Sequence, residues 1–306
     1  MSSDRFSSLV SRRRLFASGA AATGAAVAAA GLPGHRALAL DSVDDSRLKT
    51  VLDRGKLVVG TGAANPPWHF EDESGNLIGM DIDMAKHIAG GLFGLSLEER
   101  RTDKPLEYVE FVVQEANQRI PNLLTDKVDV VIQFMTVNPA RASQVEFTIP
   151  YYREAVTVLL LTDSPYNSLA DLQGKNLKIA ILQNVGADEL VWAGIPDAEV
   201  IQVPSVADSV AALDAGRVDA TAIDLSTGQW FSAQNPDKYK YTPESWWPQT
   251  YAAAVKPGDQ IWLNFLNAAI HELLVGVDFS LYQASFKQWF GADLPYPAAG
   301  FPVEFK

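Results

Sequence analysis

One strand signal occurs twice in this chain, at residues 127–133 and again at residues 217–223. The first copy reads Lys127-Val128-Asp129-Val130-Val131-Ile132-Gln133 and runs into Met135-Thr136 and Arg141. The second reads Arg217-Val218-Asp219-Ala220-Thr221-Ala222-Ile223 and ends on Asp224. A second pair repeats as well. Gly55-Lys56-Leu57-Val58-Val59-Gly60 comes early, and Gly174-Lys175-Asn176-Leu177-Lys178-Ile179-Ala180-Ile181 opens the middle of the chain. Short apolar runs alternating with helical patterns imply βαβ units and parallel sheets. Two such units predict two lobes around one cleft. A cationic Arg141 on one lobe and an anionic Asp224 on the other suit a ligand with a carboxylate and an ammonium.

The pattern between these strands fills in an α/β chain. Residues 46–54 read as an amphipathic helix with Leu48, Val51 and Leu52 on one side. Pro66 and Pro67 fix a rigid extended loop before Trp68. Asp81 reads as a helix cap, with Met84, Ala85, Ile88 and Ala89 at helical spacing behind it. Helices are predicted over 117–125, 206–215, 261–274 and 279–290, the last two packing back on the first lobe. Residues 40–152 with 252–306 form the first lobe in this division, and residues 153–251 the second. The chain should cross between them near residues 152–155 and return near residues 251–255.

Ligands of open α/β sheets bind outside the carboxyl ends of the strands. Four loops fall there: residues 61–68, 134–141, 183–186 and 224–228. Helix N-termini behind such loops favour a carboxylate. Arg141 can add a bidentate pair, Thr136 a hydroxyl, and Trp68 a flat apolar face. Asp224 can accept from an ammonium. Taken singly, such an arginine is more often a surface ion pair, such an aspartate a cap, and such a tryptophan core. Their placement at matching strand ends tips the balance toward a site.

Other chemistry finds little support. The chain has no cysteine, which excludes disulfides, thiolate catalysis, Cys-ligated zinc and a lipid-modified N-terminal Cys. Gly60-Thr61-Gly62 lacks the third glycine of a dinucleotide loop, and His271-Glu272 lacks the second His of a zinc helix. No Gly-x-Ser-x-Gly elbow occurs. No catalytic residue, cofactor or metal is therefore expected.

Residues 1–39 read as a twin-arginine-type signal peptide. Arg12-Arg13-Arg14 precedes a weakly apolar Ala/Gly run, and Ala37-Leu38-Ala39 places small residues for cleavage near Ala39. The expected location is the periplasm. Removing this segment takes five arginines and one aspartate from the 25 basic and 37 acidic residues, leaving a net charge of −16. That acidity opposes nucleic acid as a partner.

At these residues the chain resembles the bacterial extracellular solute-binding proteins of family 3, the polar amino acid receptors of ABC importers. The resemblance covers nearly all of residues 47–291. It rests on Pro66-Pro67-Trp68, Gly79-Met80-Asp81-Ile82-Asp83-Met84-Ala85, and Arg119-Ile120-Pro121 with Lys127-Val128-Asp129. Met135-Thr136-Val137-Asn138-Pro139-Ala140-Arg141, Val145-Glu146-Phe147-Thr148-Ile149-Pro150-Tyr151-Tyr152 and Lys287-Gln288-Trp289-Phe290-Gly291 continue it. The ordered set is specific where each piece alone is weak.

The resemblance implies a two-lobed periplasmic-binding-protein type II fold that closes on ligand like a hinge. It places Arg141 and Thr136 on the ligand's α-carboxylate, with Phe134 contributing backbone and Gly186 a backbone N–H. Asp224 would take the α-ammonium, and Trp68 would lie beside the aromatic platform. The implied partners are a small amino acid-like ligand and an ABC permease in the inner membrane, with the receptor a monomer. Departures from the family pattern at Gly62, Asn65, Met80, Phe134 and Asn184-Val185-Gly186 point to an unusual substrate, or one that is not an α-amino acid. The rival readings are an exported enzyme on the same scaffold, of the cyclohexadienyl or prephenate dehydratase kind, and an accessory periplasmic protein of another enzyme system.

Overall fold

The computed structural model describes residues 43–297; the expected signal peptide lies outside them. The strands, in chain order, are β1 (Leu57–Thr61), β2 (Ala64–Asn65), β3 (His69–Glu71), β4 (Leu77–Ile78), β5 (Val109–Val113), β6 (Val130–Thr136) and β7 (Glu146–Phe147). They continue with β8 (Tyr152–Leu161), β9 (Lys178–Leu182), β10 (Glu199–Val203), β11 (Ala220–Asp224), β12 (Tyr239–Tyr241) and β13 (Trp246–Val255). The main sheet runs β10-β9-β11-β8-β13-β6-β1-β5. The short strands β2, β3 and β4 form a separate sheet.

The two sequence repeats occupy equivalent places in this order. β1 lies between β5 and β6, parallel to both. β9 lies between β10 and β11, again parallel to both. The repeated aspartates do the same work in each half. Asp129 accepts from the Val58 N–H at 2.7 Å, and its own N–H donates to the Val58 carbonyl at 2.9 Å. Asp219 accepts from the Lys178 N–H at 2.8 Å, and its N–H donates to the Lys178 carbonyl at 2.9 Å. Each aspartate thus pins the start of one strand to its neighbour and satisfies backbone groups that the ladder leaves open.

The halves join through two long antiparallel strands, β8 and β13, with Tyr152 opposite Tyr251 and Glu154 opposite Gln249. β13 also pairs with β6, and β8 with β11. The strand β13 begins earlier than the predicted return crossing at residues 251–255. Pro248 hides its start in the sequence, because proline cannot donate to a ladder. The register shifts between Trp246 and Gln249, and this irregularity accommodates the proline.

One core gathers Val59, Met84, Ile88 and Trp68 with Leu266, Ile270, Leu273 and Leu281. The helices Gln260–Val275 and Phe279–Phe290 therefore pack back on the first lobe, as expected. A second core holds Val158, Leu160, Ile179, Val191 and Ala220. No helix among the described residues is long and apolar enough to cross a membrane.

Asp81 departs from expectation. The helix Met80–Leu92 is preceded by Gly79, with no side-chain cap. Asp81 is buried and accepts from Tyr151 Oη (2.8 Å), the Phe134 N–H (2.8 Å) and His69 Nδ1 (2.8 Å). Burial lowers the pKa of His69 against the pull of Asp81. Asp83 accepts from Trp289 Nε1 at 2.8 Å. These carboxylates tie elements together rather than capping the helix.

Candidate functional site

A cavity of about 1050 Å³ opens between the two lobes. Its wall includes Arg141, Thr136, Phe134, Asp224 and Gly186. The carboxyl ends of β6, β9 and β11 thus bring five of the six expected residues together.

Arg141 sits in the short helix Pro139–Ala142, whose cap is Asn138. Asn138 Oδ1 accepts from the Arg141 N–H at 2.9 Å, and Pro139 opens the first turn. This turn folds the side chain back into the cleft, where Arg141 is 8% exposed. Nη1 donates to the Thr136 carbonyl at 2.8 Å and Nη2 to Asn184 Oδ1 at 2.7 Å. Among the described residues no carboxylate lies within ion-pair distance of this guanidinium. Burial lowers its pKa.

Asp224 ends β11 and precedes the helix Leu225–Gln234. Gln249 Nε2 donates to its Oδ1 at 3.3 Å, and Tyr251 is hydrogen-bonded to it. Burial raises its pKa to about 6. Behind it, Glu154 on β8 accepts from Ser226 Oγ and from the Ala155 N–H at 2.9 Å. Burial and the charge of Asp224 raise Glu154 to about 8. Neither acid has a cationic partner among the described residues. The two carboxylates therefore lie near enough for Asp224 to act on Glu154, in a poorly solvated place that favours holding a proton.

The remaining residues vary in how they meet the cavity. Thr136 donates through Oγ1 to Gln249 Oε1 at 3.1 Å. Gly186, at φ +79°, precedes the helix Ala187–Gly194 and offers its N–H at that helix start. Phe134 lines the cavity with its ring, but its N–H is engaged by Asp81, so it is not free for a ligand. Trp68 does not line the cavity. Its ring is fully enclosed against Tyr152, Tyr251 and Phe290, and its Nε1 donates to Ser226 Oγ at 3.0 Å.

Sequence reasoning missed Asn184, Gln249, Tyr251 and Arg119, all on the wall. Asn184 had a signal, because it is one of the departures from the family pattern. Gln249 had none, since the proline masked the start of its strand; Tyr251 lay in the expected return crossing but carried no signal for a place in the site. Among the described residues no cluster of His, Asp and Glu could hold a metal.

A sequence profile for bacterial extracellular solute-binding proteins, family 3, matches residues 57–292. The chain belongs to that family. The glutamine-binding protein GlnH of an ABC transporter in Bacillus subtilis is 25% identical over 274 residues, covering 87% of this chain and 93% of the relative. The L-cystine-binding protein TcyJ of Escherichia coli is 25% identical over 254 residues, covering 82% and 88%. Among solved structures, a mutant of ArgBP from T. maritima is 30% identical with a TM-score of 0.66, covering 80% of this chain and 99% of that one. AncCDT-1, an ancestral amino acid-binding protein and precursor of cyclohexadienyl dehydratase, is 27% identical with a TM-score of 0.68, covering 80% and 100%. This family 3 protein therefore has the two-lobed type II fold, and its relatives are binding proteins of amino acid importers.

Proposed function

We propose that this chain is a periplasmic receptor that delivers a small amino acid, or a close relative of one, to an ABC permease. One observation carries the reading. A buried guanidinium and a recessed carboxylate, Arg141 and Asp224, face the same cavity without protein counter-ions among the described residues. Burying unpaired charge is costly. A zwitterion offers one group to each and relieves both. The relatives that bind glutamine and L-cystine support that ligand class.

In this reading residues 1–39 direct export by the twin-arginine route, with cleavage near Ala39. The lobes, residues 40–152 with 252–306 and residues 153–251, hinge through β8 and β13, and the receptor acts as a monomer. The charged groups of the cavity bind, so no turnover is expected. The likeness to AncCDT-1 favours one second reading, an exported dehydratase. A thermal-shift screen of the mature protein against the common amino acids decides between them, since a ligand bound only by the folded state raises its melting temperature. Stabilisation by amino acids supports the receptor. Turnover of prephenate without such stabilisation supports the enzyme.

A further inference from the structure

All seven tryptophans of the chain lie among the described residues, and six of them are engaged. Trp68, Trp192, Trp246, Trp262 and Trp289 each donate through Nε1, and Trp230 packs its ring against Phe70 and Phe231. Trp247 does neither. It is 45% exposed, has no hydrogen bond from its ring and no aromatic neighbour among the described residues, and lines the cavity between the lobes. Its backbone is as unusual. Among the described residues the non-glycines with a positive φ are Asp126, Asn176, Phe134 and Trp247. The first two are of a type that the left-handed region tolerates. The other two are bulky aromatics, strained in that region, and both line the cavity.

The strand around Trp247 shows how this comes about. Trp246 pairs with Val156 and Gln249 with Glu154, so Trp247 and Pro248 stand together opposite Ala155. One residue is inserted, and the first of the pair has φ +54°. Glycine is usual at that place in a bulge, and bulges re-aim side chains next to functional sites. Trp246 before it is fixed. Its Nε1 donates to the Leu190 carbonyl at 2.9 Å, and its ring fills the space over Gly194, where an added Cβ would sit 2.5 Å from it. Gln249 after it is fixed as well, through Thr136 and Asp224. The strand thus holds Trp247 from both sides.

We propose that Trp247 is a specificity-determining residue of this cavity, and that its indole takes up the apolar side chain of the bound amino acid. The proposal rests on the receptor reading above and names the side-chain class of its ligand. Backbone strain gathers at ligand-binding places and persists where the surrounding structure holds it. Here Trp246 and Gln249 hold it, and the ring it presents has no partner in the protein. A ligand that covers the ring removes apolar surface from water. The position fits. Gln249, two residues on, bonds the Asp224 that takes the ammonium, and two strand residues span about 7 Å, a gap that one amino acid can bridge. Leu190, joined to Trp246 through its carbonyl, lines the cavity as well, and so does the exposed Val185. An amide side chain laid on these groups would leave its donors and acceptors unmet.

Trp247→Gly separates binding from structure. Glycine adopts a left-handed backbone without strain, while its greater freedom in the unfolded chain works the other way. The variant should therefore keep a urea midpoint close to that of the wild type. Calorimetry on the mature protein then compares two pairs of similar shape, L-methionine with L-glutamine and L-leucine with L-asparagine. In the wild type the apolar member of at least one pair should bind about tenfold more tightly, the equivalent of removing roughly 50 Å² of apolar surface from water. In Trp247→Gly that ratio should fall close to one, while Trp247→Phe, which keeps a ring, should retain part of it. Equal or tighter binding of the polar member in both pairs, or binding confined to other, polar amino acids, would overturn the inference and leave the receptor reading standing. A folded Trp247→Gly that keeps the apolar preference would overturn it too. If no amino acid binds at all, the receptor reading falls and this inference with it. The wild-type ratios decide the matter even if the Trp247 variants fail to fold.

Discussion

Arg141 donates through Nη2 to Oδ1 of Asn184 at 2.7 Å, and this bond joins the two walls of the cleft. It crosses from the turn after β6 to the loop after β9. The donor that holds a ligand carboxylate in the receptor reading also touches the opposite lobe. Ligand capture and lobe contact therefore share one guanidinium. A ligand that bridges Arg141 and Asp224 makes contacts that separated lobes cannot, which is what a population shift requires.

That geometry predicts closure. Small-angle scattering of the mature protein should show a smaller radius of gyration on saturation with a bound amino acid. An unchanged radius, with binding confirmed independently, would place the lobes together already in the free protein.

The role of Asp224 is separable from its shape. Asp224→Asn keeps the size and removes the charge. For an amino acid it should weaken binding by about 2 kcal/mol or more, because the ammonium loses its charged partner. For the matching acid without the ammonium, the same change should be neutral or favourable. Equal losses for both ligands, measured by calorimetry, would contradict the assignment.

The pair Glu154 and Asp224 predicts a pH dependence of stability. Burial raises both folded-state pKa values, Glu154 from 4.5 to about 8 and Asp224 from 3.8 to about 6. At these two groups the folded state then binds more protons than the unfolded state across that window, while burial lowers the folded pKa of His69 and His87 and so works the other way until the unfolded histidines lose their protons near 6.5. The contribution of the two acids is full below their unfolded values and falls as pH rises toward 8, by up to about 1.4 kcal/mol per pH unit for each proton involved. Urea denaturation of the ligand-free protein between pH 7 and 8, above the titration of the unfolded histidines, should show the decline, and Glu154→Gln should flatten it. A wild-type profile that rises with pH across this range would refute the shared-proton picture.

Trp68 separates a structural role from a binding one. It is wholly enclosed and donates to Ser226 across the lobes. Trp68→Ala should cost about 3–5 kcal/mol in denaturant stability, the range for emptying a buried aromatic site. Loss of ligand affinity at unchanged stability would return Trp68 to the ligand platform that the sequence suggests.

How legible this was differs by residue. The two aspartates of the repeat could be read directly, because each does local work between neighbouring strands, and local work leaves a repeated pattern. Arg141 was legible through its Asn-Pro cap, which fixes where the chain turns. Asp81 was misread because a carboxylate in a first helical turn looks like a cap until its distant partners Tyr151 and Phe134 are known. Glu154 was illegible as a site residue for the same reason. Its meaning lies in what it lacks, a counter-ion, and a missing partner has no sequence pattern. Trp68 was placed beside the site by its neighbours in the chain, but an enclosed aromatic ring is decided by packing from Tyr152, Tyr251 and Phe290.

The central claim is that Arg141 anchors an amino acid in this cavity. Calorimetry of the mature wild type and Arg141→Ala, with an amino acid that stabilises the wild type, tests it most directly. Truncating one partner of a buried charge pair typically costs about 2–5 kcal/mol. The account predicts saturable one-to-one binding by the wild type and an affinity some thirtyfold to several thousandfold weaker in a folded Arg141→Ala. A folded Arg141→Ala that binds the same amino acid with unchanged affinity would contradict it.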